Sequence, residues 1–368
     1  MDEKRCIFHI PNYIDPRGQS GSNVRPLKML NALQKIGYDV DYVMGYGKER
    51  KERIKNIKNK MQKGIKYDFL YSESSTMPTL LTEKDHFPRY PNLDFGFLKY
   101  CRDNGIKIGL FYRDIQWKFD MYKENVPLYK RWLTIPMYRY DLYEYSKLVD
   151  KLYLTADVVK KYIKQYPKLI KKIDILPPGC DEIKCEENTR SADKDNLKIF
   201  YVGGISRIYN LELFLSVLKG FDKIELILCC RKKEWEESAE KYEQYLTPRI
   251  KIVHETGSDL EKYYKWADVC CAFAGKGEYM SIAMPIKVFE YLAHLKPMIG
   301  TAGTVAGDFI EKNHIGWSVS YTPEELRKCL SFILDHPNVL NDMRKQIYSA
   351  REDNLWTTRA KKVADDLG

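Results

Sequence analysis

"MPIKVFEYLAHLKPMIG", residues 284–300, reads as one short helix that runs straight into an apolar strand. Pro285 suits the first helical turn, because proline lacks the N–H that would go unpaired there. Behind it the helix looks buried, yet it carries Lys287 and, three residues on, Glu290. A lysine and a glutamate at i, i+3 can form a surface pair worth about 0.2–0.5 kcal/mol. Alternatively, the free N–H groups of Ile286 and Lys287, at the positive end of the helix dipole, hold an anion. The segments on either side decide between the two.

That helix-to-strand step is one beat of a rhythm running along the whole chain. Short apolar runs at 6–10, 39–46, 67–73, 106–112, 151–156 and 172–177 read as strands, with helices such as 25–36 and 92–104 between them. A polar, highly charged stretch at 182–196 reads as a linker or surface loop. Further strands follow at 197–204, 224–230, 249–255, 267–273, 296–300 and 316–321, with helices such as 210–218 and 323–335. This alternation predicts an α/β protein with two Rossmann-like halves, each a parallel sheet covered by helices. A length of 368 residues suits two domains of about 150 each. In open α/β sheets ligands sit beyond the carboxyl ends of the strands, so function is expected in the strand-to-helix loops, in a cleft between the halves.

Composition narrows the classes. No apolar run is long enough to span a bilayer, and the start "MDEKRCIFHIP" has no apolar stretch of signal-peptide length, so a cytoplasmic protein is expected. The nine cysteines, with adjacent pairs at 229–230 and 270–271 and no CxxC, read as small buried hydrophobes in a reducing compartment, without zinc. A net charge of +10 implies an anionic partner. Nucleic acid is set aside: despite 28 tyrosines, no RRM, KH, zinc-finger or helix-turn-helix signature occurs, and the basic residues are interleaved with acids.

Three loops carry chemistry. After the first strand, "PNYIDPRGQSGSNVRPL" places Gly18, Ser20 and Gly21 ahead of a helix expected to start near Val24 or Arg25, where backbone N–H groups can approach a ligand; the plain alternative is a flexible turn. After the first strand of the second half, "VGGISRIYN" offers Gly203, Gly204 and Arg207, the last either a two-pronged phosphate donor or a surface residue in a tight turn. The third loop is "AFAGKGEYMSIAMPIKVFEY", which delivers the backbone of Ile286 and Lys287 to the same edge.

In this order the pieces "VGG", "HET" at 254–256, "PIKVFEYLAHLKPMIG", "IGWSV" and "WTTRA" closely resemble the retaining GT-B glycosyltransferases of family four, also called group 1. The likeness is strongest from residue 197 onward; in the first half it rests on the Gly-rich loop and "FYRDIQWKF". The resemblance implies two Rossmann-like domains: an acceptor-binding domain at 1–177, joined by a last helix at 355–367 that crosses back, and a nucleotide-sugar domain at 178–351. It implies transfer of a hexose, UDP-sugars foremost, to a saccharide or lipid-linked saccharide in cell-surface polysaccharide or glycoconjugate synthesis, without metal or cofactor. It assigns Glu290 to the ribose hydroxyls and the helix N-terminus that opens at Pro285, with the amides of Ile286 and Lys287, to the diphosphate. His254, Glu255 and Thr256 would receive the base.

There are departures. Where many members carry a sugar-binding glutamate this chain has Ile282, so Glu278 and Tyr279 are the substitutes at hand. The usual arginine and lysine after "VG" are Gly204 and Tyr209, leaving Arg207 and Lys287 to meet the leaving phosphate. A catalytically inactive relative, binding sugar or a partner, is the second reading. In the first half, Arg113 stands in the region where the family often has a histidine, and Asp114 either orients the acceptor hydroxyl or caps a helix. "DVD" at 39–41 is read as strand-edge polarity, not a metal site. The basic helix at 47–66, with Ile54, Ile57, Met61 and Ile65 at helical spacing, either packs that stripe on its own sheet or lies on an anionic membrane at the inner face of the plasma membrane.

Overall fold

The computed structural model describes residues 4–18, 20–183, 196–205 and 207–368, without the side chain of Arg207. Most of the stretch read as a linker, 184–195, lies outside the described residues. The chain divides into two compact units, 1–178 with 356–368, and 179–355.

The first unit is built on β1 (Arg5–His9), β2 (Asp39–Val43), β3 (Phe69–Glu73), β4 (Lys107–Phe111), β5 (Lys151–Leu154) and β6 (Ile173–Ile175), in the order β2-β1-β3-β4-β5-β6. The second has β7 (Leu197–Val202), β8 (Ile224–Cys229), β9 (Ile250–Val253), β10 (Val269–Ala272), β11 (Met298–Thr301) and β12 (Gly316–Val319), in the order β12-β11-β10-β7-β8-β9. Both are parallel sheets of the doubly wound kind. The sense in which successive strands are added reverses between β1 and β3 in one unit and between β7 and β10 in the other, which is where such folds place ligands. Burial on both faces explains why the strands read as continuous apolar runs; β3 is buried at all five positions. Among the described residues no helix is long and apolar enough to cross a membrane.

Helix starts differ from the sequence expectation. The first helix spans Gly21–Lys35, not 25–36, so Gly21 lies within it and Pro26 falls in its interior. Proline has no N–H to give the carbonyl four residues back, and Ser22 O instead accepts from Arg113 Nη1 at 2.7 Å. Arg113 also donates from Nη2 to Glu73 Oε2 (2.8 Å) and from Nε to Ser74 O (3.0 Å). Glu73 is fully buried; its other oxygen accepts from Tyr71 OH at 3.0 Å and lies 3.3 Å from Arg25 Nε. The Arg25 guanidinium sits on the Phe111 ring, 3.5 Å from its centroid. Residues far apart in sequence thus fasten a proline-interrupted helix to the ends of β3 and β4.

The helix Gly47–Gln62 turns Ile54 and Ile57 inward, so its apolar stripe is used within the unit. Arg50, on the same side, is buried against Asp94, with Nε 3.1 Å from Oδ1 and Nη1 donating to Gly45 O at 2.7 Å. Asp39 and Asp41 lie at the amino end of β2, where Asp41 accepts from Lys60 (2.7 Å) and Tyr67 OH. The last helix, Trp356–Leu367, packs on Gly21–Lys35 and on β3 and β4. Gly109 leaves the space for it: a Cβ there would be 2.7 Å from Leu367 Cδ1. Tyr153 OH donates to Asp366 at 2.9 Å, and Lys362 to Asp174 at 2.6 Å.

Replacing Glu73 with alanine should leave two buried guanidinium groups without their shared carboxylate and destabilise the chain by about 3–5 kcal/mol. Urea unfolding of Glu73→Ala measures this; a loss under ~1 kcal/mol would show that the network is not what holds the first helix.

Candidate functional site

In the second unit, β7 and β10 pair only at Val269–Ile199 and Cys270–Phe200, then part toward their carboxyl ends. A split between parallel strands strands backbone donors and acceptors in the interior. The phenol of Tyr291 fills it: Val202 N donates to its hydroxyl at 3.1 Å, and the hydroxyl donates to Cys271 O at 3.1 Å. Tyr291 belongs to the helix Ile286–Ala293, so this contact fixes the helix over the split. His294 secures the far end, its Nδ1 donating to Glu290 O at 2.8 Å while the ring stacks on Tyr264 at 3.6 Å. Thr301, at the end of β11, ties down the loop after β10 by accepting from Ala274 N (3.1 Å) and donating to Ala274 O (2.9 Å).

One turn before Tyr291 lies Lys287. Its side chain is buried, only 7% exposed, and its Nζ has no hydrogen-bond partner. The ammonium stands over the Tyr201 ring, 3.9 Å from its centroid, and 5.0 Å from that of Tyr209. Burial pulls its pKa down from 10.5 to about 8, against the neighbouring Cys271 and Glu290, which act to raise it. Gly203 makes the other wall: its φ of +140° favours glycine, and a Cβ there would stand 3.1 Å from Nζ. Pro285 is the N-cap rather than the first helical residue, and no side chain caps that end. The amides of Ile286 and Lys287 therefore lie in the first turn, where no intrahelical acceptor serves them. A bare helix start, a glycine turn and a buried ammonium without a hydrogen-bond partner are groups that can receive an anion with several oxygens.

The remaining expected residues fall as follows. Glu290 is half-buried on the same helix. Gly204 accepts from Tyr201 OH through its carbonyl. Arg207 opens a turn at Arg207–Tyr209, and its side chain lies outside the described residues. Glu278 and Tyr279 start a short helix, Glu278–Ile282, in which Glu278 is exposed; Ile282 at its end is buried, a core residue. After β9, exposed His254 donates from Nδ1 to Cys230 O at 2.9 Å, Glu255 pairs with Lys262 at 2.8 Å, and Thr256 precedes a turn at Gly257–Leu260. The Lys262 hydrogen bond holds the Glu255 carboxyl below its ordinary pKa.

In the first unit the loops after β1, β2, β3 and β4 enclose a cavity of about 270 Å³ whose wall includes Asn12, Tyr13, Tyr46, Thr76, Glu83 and Arg113. Tyr13 and Tyr46 stack at 5.3 Å. Gly18 N donates to Asp15 O at 3.0 Å, and a Cβ on Gly18 would collide with the Asn23 side chain. Ser20 is the N-cap of Gly21–Lys35, and its hydroxyl accepts from Asn23 Nδ2 at 2.9 Å. Asp114, one residue ahead of Ile115, the N-cap of the turn Gln116–Lys118, accepts from Gln116 N through Oδ1 at 2.9 Å. Sequence reasoning missed Glu73, Tyr201 and Tyr291 as organising residues; only Tyr291, inside the quoted motif, left a local signal.

Residues 196–336 match the family model of glycosyl transferases group 1. Solved structures share the fold over nearly the full chain. A glycosyltransferase from Rickettsia africae is 12% identical, with a TM-score of 0.68 over 99% of this chain and 98% of that one. Sucrose-phosphate synthase from Thermosynechococcus elongatus is 14% identical, with a TM-score of 0.65 over 98% of each. Anabaena HepE in complex with UDP-glucose is 11% identical, with a TM-score of 0.65 over 98% of this chain and 99% of that one. No curated protein sequence matches the chain. The two-unit α/β fold is that of GT-B glycosyltransferases.

Two outcomes follow from this geometry. Tyr291→Phe should cost about 1–3 kcal/mol, because Val202 N–H and Cys271 C=O lose the partner that the parted strands cannot supply; equal unfolding midpoints would refute it. For Lys287, the unfolded chain keeps its proton up to 10.5 while the folded one releases it near 8, so folding carries a penalty at neutral pH that fades between these values. Lys287→Met should therefore be more stable than wild type at pH 7, by roughly 1–3 kcal/mol, with the gap narrowing as pH rises past 8. Parallel stability-versus-pH curves would rule this out.

Proposed function

We propose that this chain, whose second unit carries the group 1 glycosyltransferase match on a GT-B fold, transfers a hexose from a nucleotide-sugar to a saccharide or lipid-linked saccharide, with retention at the anomeric carbon and without a metal. The observation that carries the reading is Lys287: a buried ammonium with no hydrogen-bond partner, at an uncapped helix start, beside Gly203. A diphosphate supplies the missing charge. UDP is the favoured nucleotide, since HepE of the same fold was solved with UDP-glucose. Glu290 holds the ribose hydroxyls, and the backbone around His254, Glu255 and Thr256 receives the base.

In the reaction the bond from the anomeric carbon to the diphosphate oxygen breaks as the acceptor oxygen approaches on the same face. Positive charge develops on the sugar ring and negative charge on the leaving phosphate, which takes the acceptor proton. Lys287 and the first-turn amides stabilise that growing charge in a site with little water, where such donors are worth most. Lysine charge thus reaches the phosphate from the helix side, while Gly204 and Tyr209 occupy the places of the usual arginine and lysine. The stacked tyrosines and polar groups around the cavity of the first unit suit a saccharide acceptor.

Ile282 favours one other reading. A buried isoleucine where relatives hold the sugar with glutamate suits a subunit that binds without turnover. One set of measurements separates the two. Thermal shift with UDP, GDP, dTDP and their sugars should show stabilisation of about 2.7 kcal/mol at 100 times the dissociation constant, and Lys287→Met should lose it. Sugar transfer by wild type, unchanged in EDTA and abolished in a folded Glu290→Ala, is the expected result. Stabilisation by UDP without any turnover of UDP-sugars would favour the binding subunit, and no stabilisation by any nucleotide would sink both.

A further inference from the structure

In the first unit the helix Leu128–Leu148 has large apolar and aromatic side chains on two opposite sides, with charged residues between them. Tyr138, Asp141, Leu142 and Tyr145 are buried against the unit. On the opposite side Leu128, Tyr129, Trp132, Leu133, Tyr140 and Tyr143 are all exposed, Trp132 by 77% and Tyr129 by 71%. At 100° per residue these six share one outward face about 140° wide. So large an exposed aromatic surface on a water-soluble fold marks something that covers it.

Charge identifies the cover. The helix carries exposed Arg139 on this face and exposed Lys130 near its start, and Lys147, paired with Glu144 at 2.8 Å, lies over the Tyr143 ring at 3.7 Å. Packed next to it is the short helix Pro167–Ile170 with its approach, held by Tyr166 OH donating to Arg139 O at 3.4 Å. Residues 157–172 contain six lysines and one acidic residue, and Lys161, Lys164, Lys168 and Lys171 are exposed. Protein–protein interfaces are depleted in lysine. Tryptophan and tyrosine beside lysines are instead the composition of the bilayer interface, where rings sit among headgroups and ammonium groups meet anionic lipid.

We propose that the outward face of Leu128–Leu148, together with the lysines of 160–171, docks this protein on the surface of an anionic lipid bilayer. The helix lies in the interface with its rings inserted at headgroup depth, and the lysines set the preference for acidic lipid. The inference is independent of the glycosyl-transfer reading, because binding is measured without donor or acceptor. It moves the membrane contact from the helix Gly47–Gln62, whose isoleucines are buried, to an exposed face that meets the unit at Tyr140, whose ring lies edge-on to Phe95 at 5.6 Å.

The test is sedimentation of the full chain with vesicles of phosphatidylcholine, with and without about 30 mol% phosphatidylglycerol, near physiological salt. Wild type should pellet with the anionic vesicles and stay in solution with the neutral ones. Trp132→Ser with Leu133→Ser, and separately Lys161→Glu with Lys164→Glu and Lys168→Glu, should each weaken binding by about tenfold or more. All the altered side chains are exposed, so thermal melting should match wild type. Wild type remaining in solution, or both variants binding like wild type, overturns the proposal. A concentration-dependent dimer in lipid-free solution that Trp132→Ser with Leu133→Ser converts to monomer assigns the face to a second copy and overturns it as well.

Discussion

The second unit turns on one phenol lodged between two diverging strands. Strands β7 and β10 cannot bond each other beyond Phe200 and Cys270, and a buried amide or carbonyl left alone there would cost more than most side-chain contacts return. Tyr291 answers both groups with one oxygen. In doing so it pins its helix at the point where the sheet opens, and the helix start comes with it: Lys287 over Tyr201, Gly203 facing Nζ, and the uncapped amides between them. The cation is held over aromatic rings without a hydrogen-bond partner, and burying it lowers its hold on the proton.

The first unit reaches a comparable arrangement by other means. Pro26 interrupts the first helix one turn after it starts, and the orphaned Ser22 carbonyl is met by an arginine from beyond β4. That arginine in turn leans on Glu73, which Arg25 also approaches. Arg113 lines the cavity with what remains of its surface. Burial lowers its affinity for the proton and Glu73 raises it, the first effect being larger. It is a brace whose exposed edge faces the cavity.

Much of this was legible because parallel strands buried on both faces advertise themselves as apolar runs. All twelve expected strands exist, with ends that differ from the expectation by up to three residues. Their order within the sheets was not legible, since nothing local tells β3 to pair with β1. The first helix was expected to start near Val24 or Arg25 because Gly18, Ser20 and Gly21 read as a loop, and the donor that meets the carbonyl left by Pro26 comes from residue 113. Lys287 and Glu290 were readable within a motif, whereas the ring of Tyr201 beneath Lys287 depends on folding. The helix Leu128–Leu148 was opaque for an instructive reason: with large rings on both sides and charges scattered between them, periodicity vanishes, and nothing in the sequence separates the side that packs from the side that does not. For Gly47–Gln62 the stripe was visible but its destination was open, and the structure turns it inward.

The passage of the chain back to its starting unit constrains the order in which the protein is made. Strands β3 and β4 leave the ribosome early, yet the helix that covers them, with Leu367 seated against Gly109, emerges only after the entire second unit. Nascent domains fold from the amino end as they appear, so the first unit must wait with one side of its sheet bare while its neighbour completes itself. A chain interrupted near residue 355 would keep its second unit whole and expose the apolar seam of the first. A short deletion beside one unit would thus be felt in the other, and the incomplete product would be a target for chaperones and proteases.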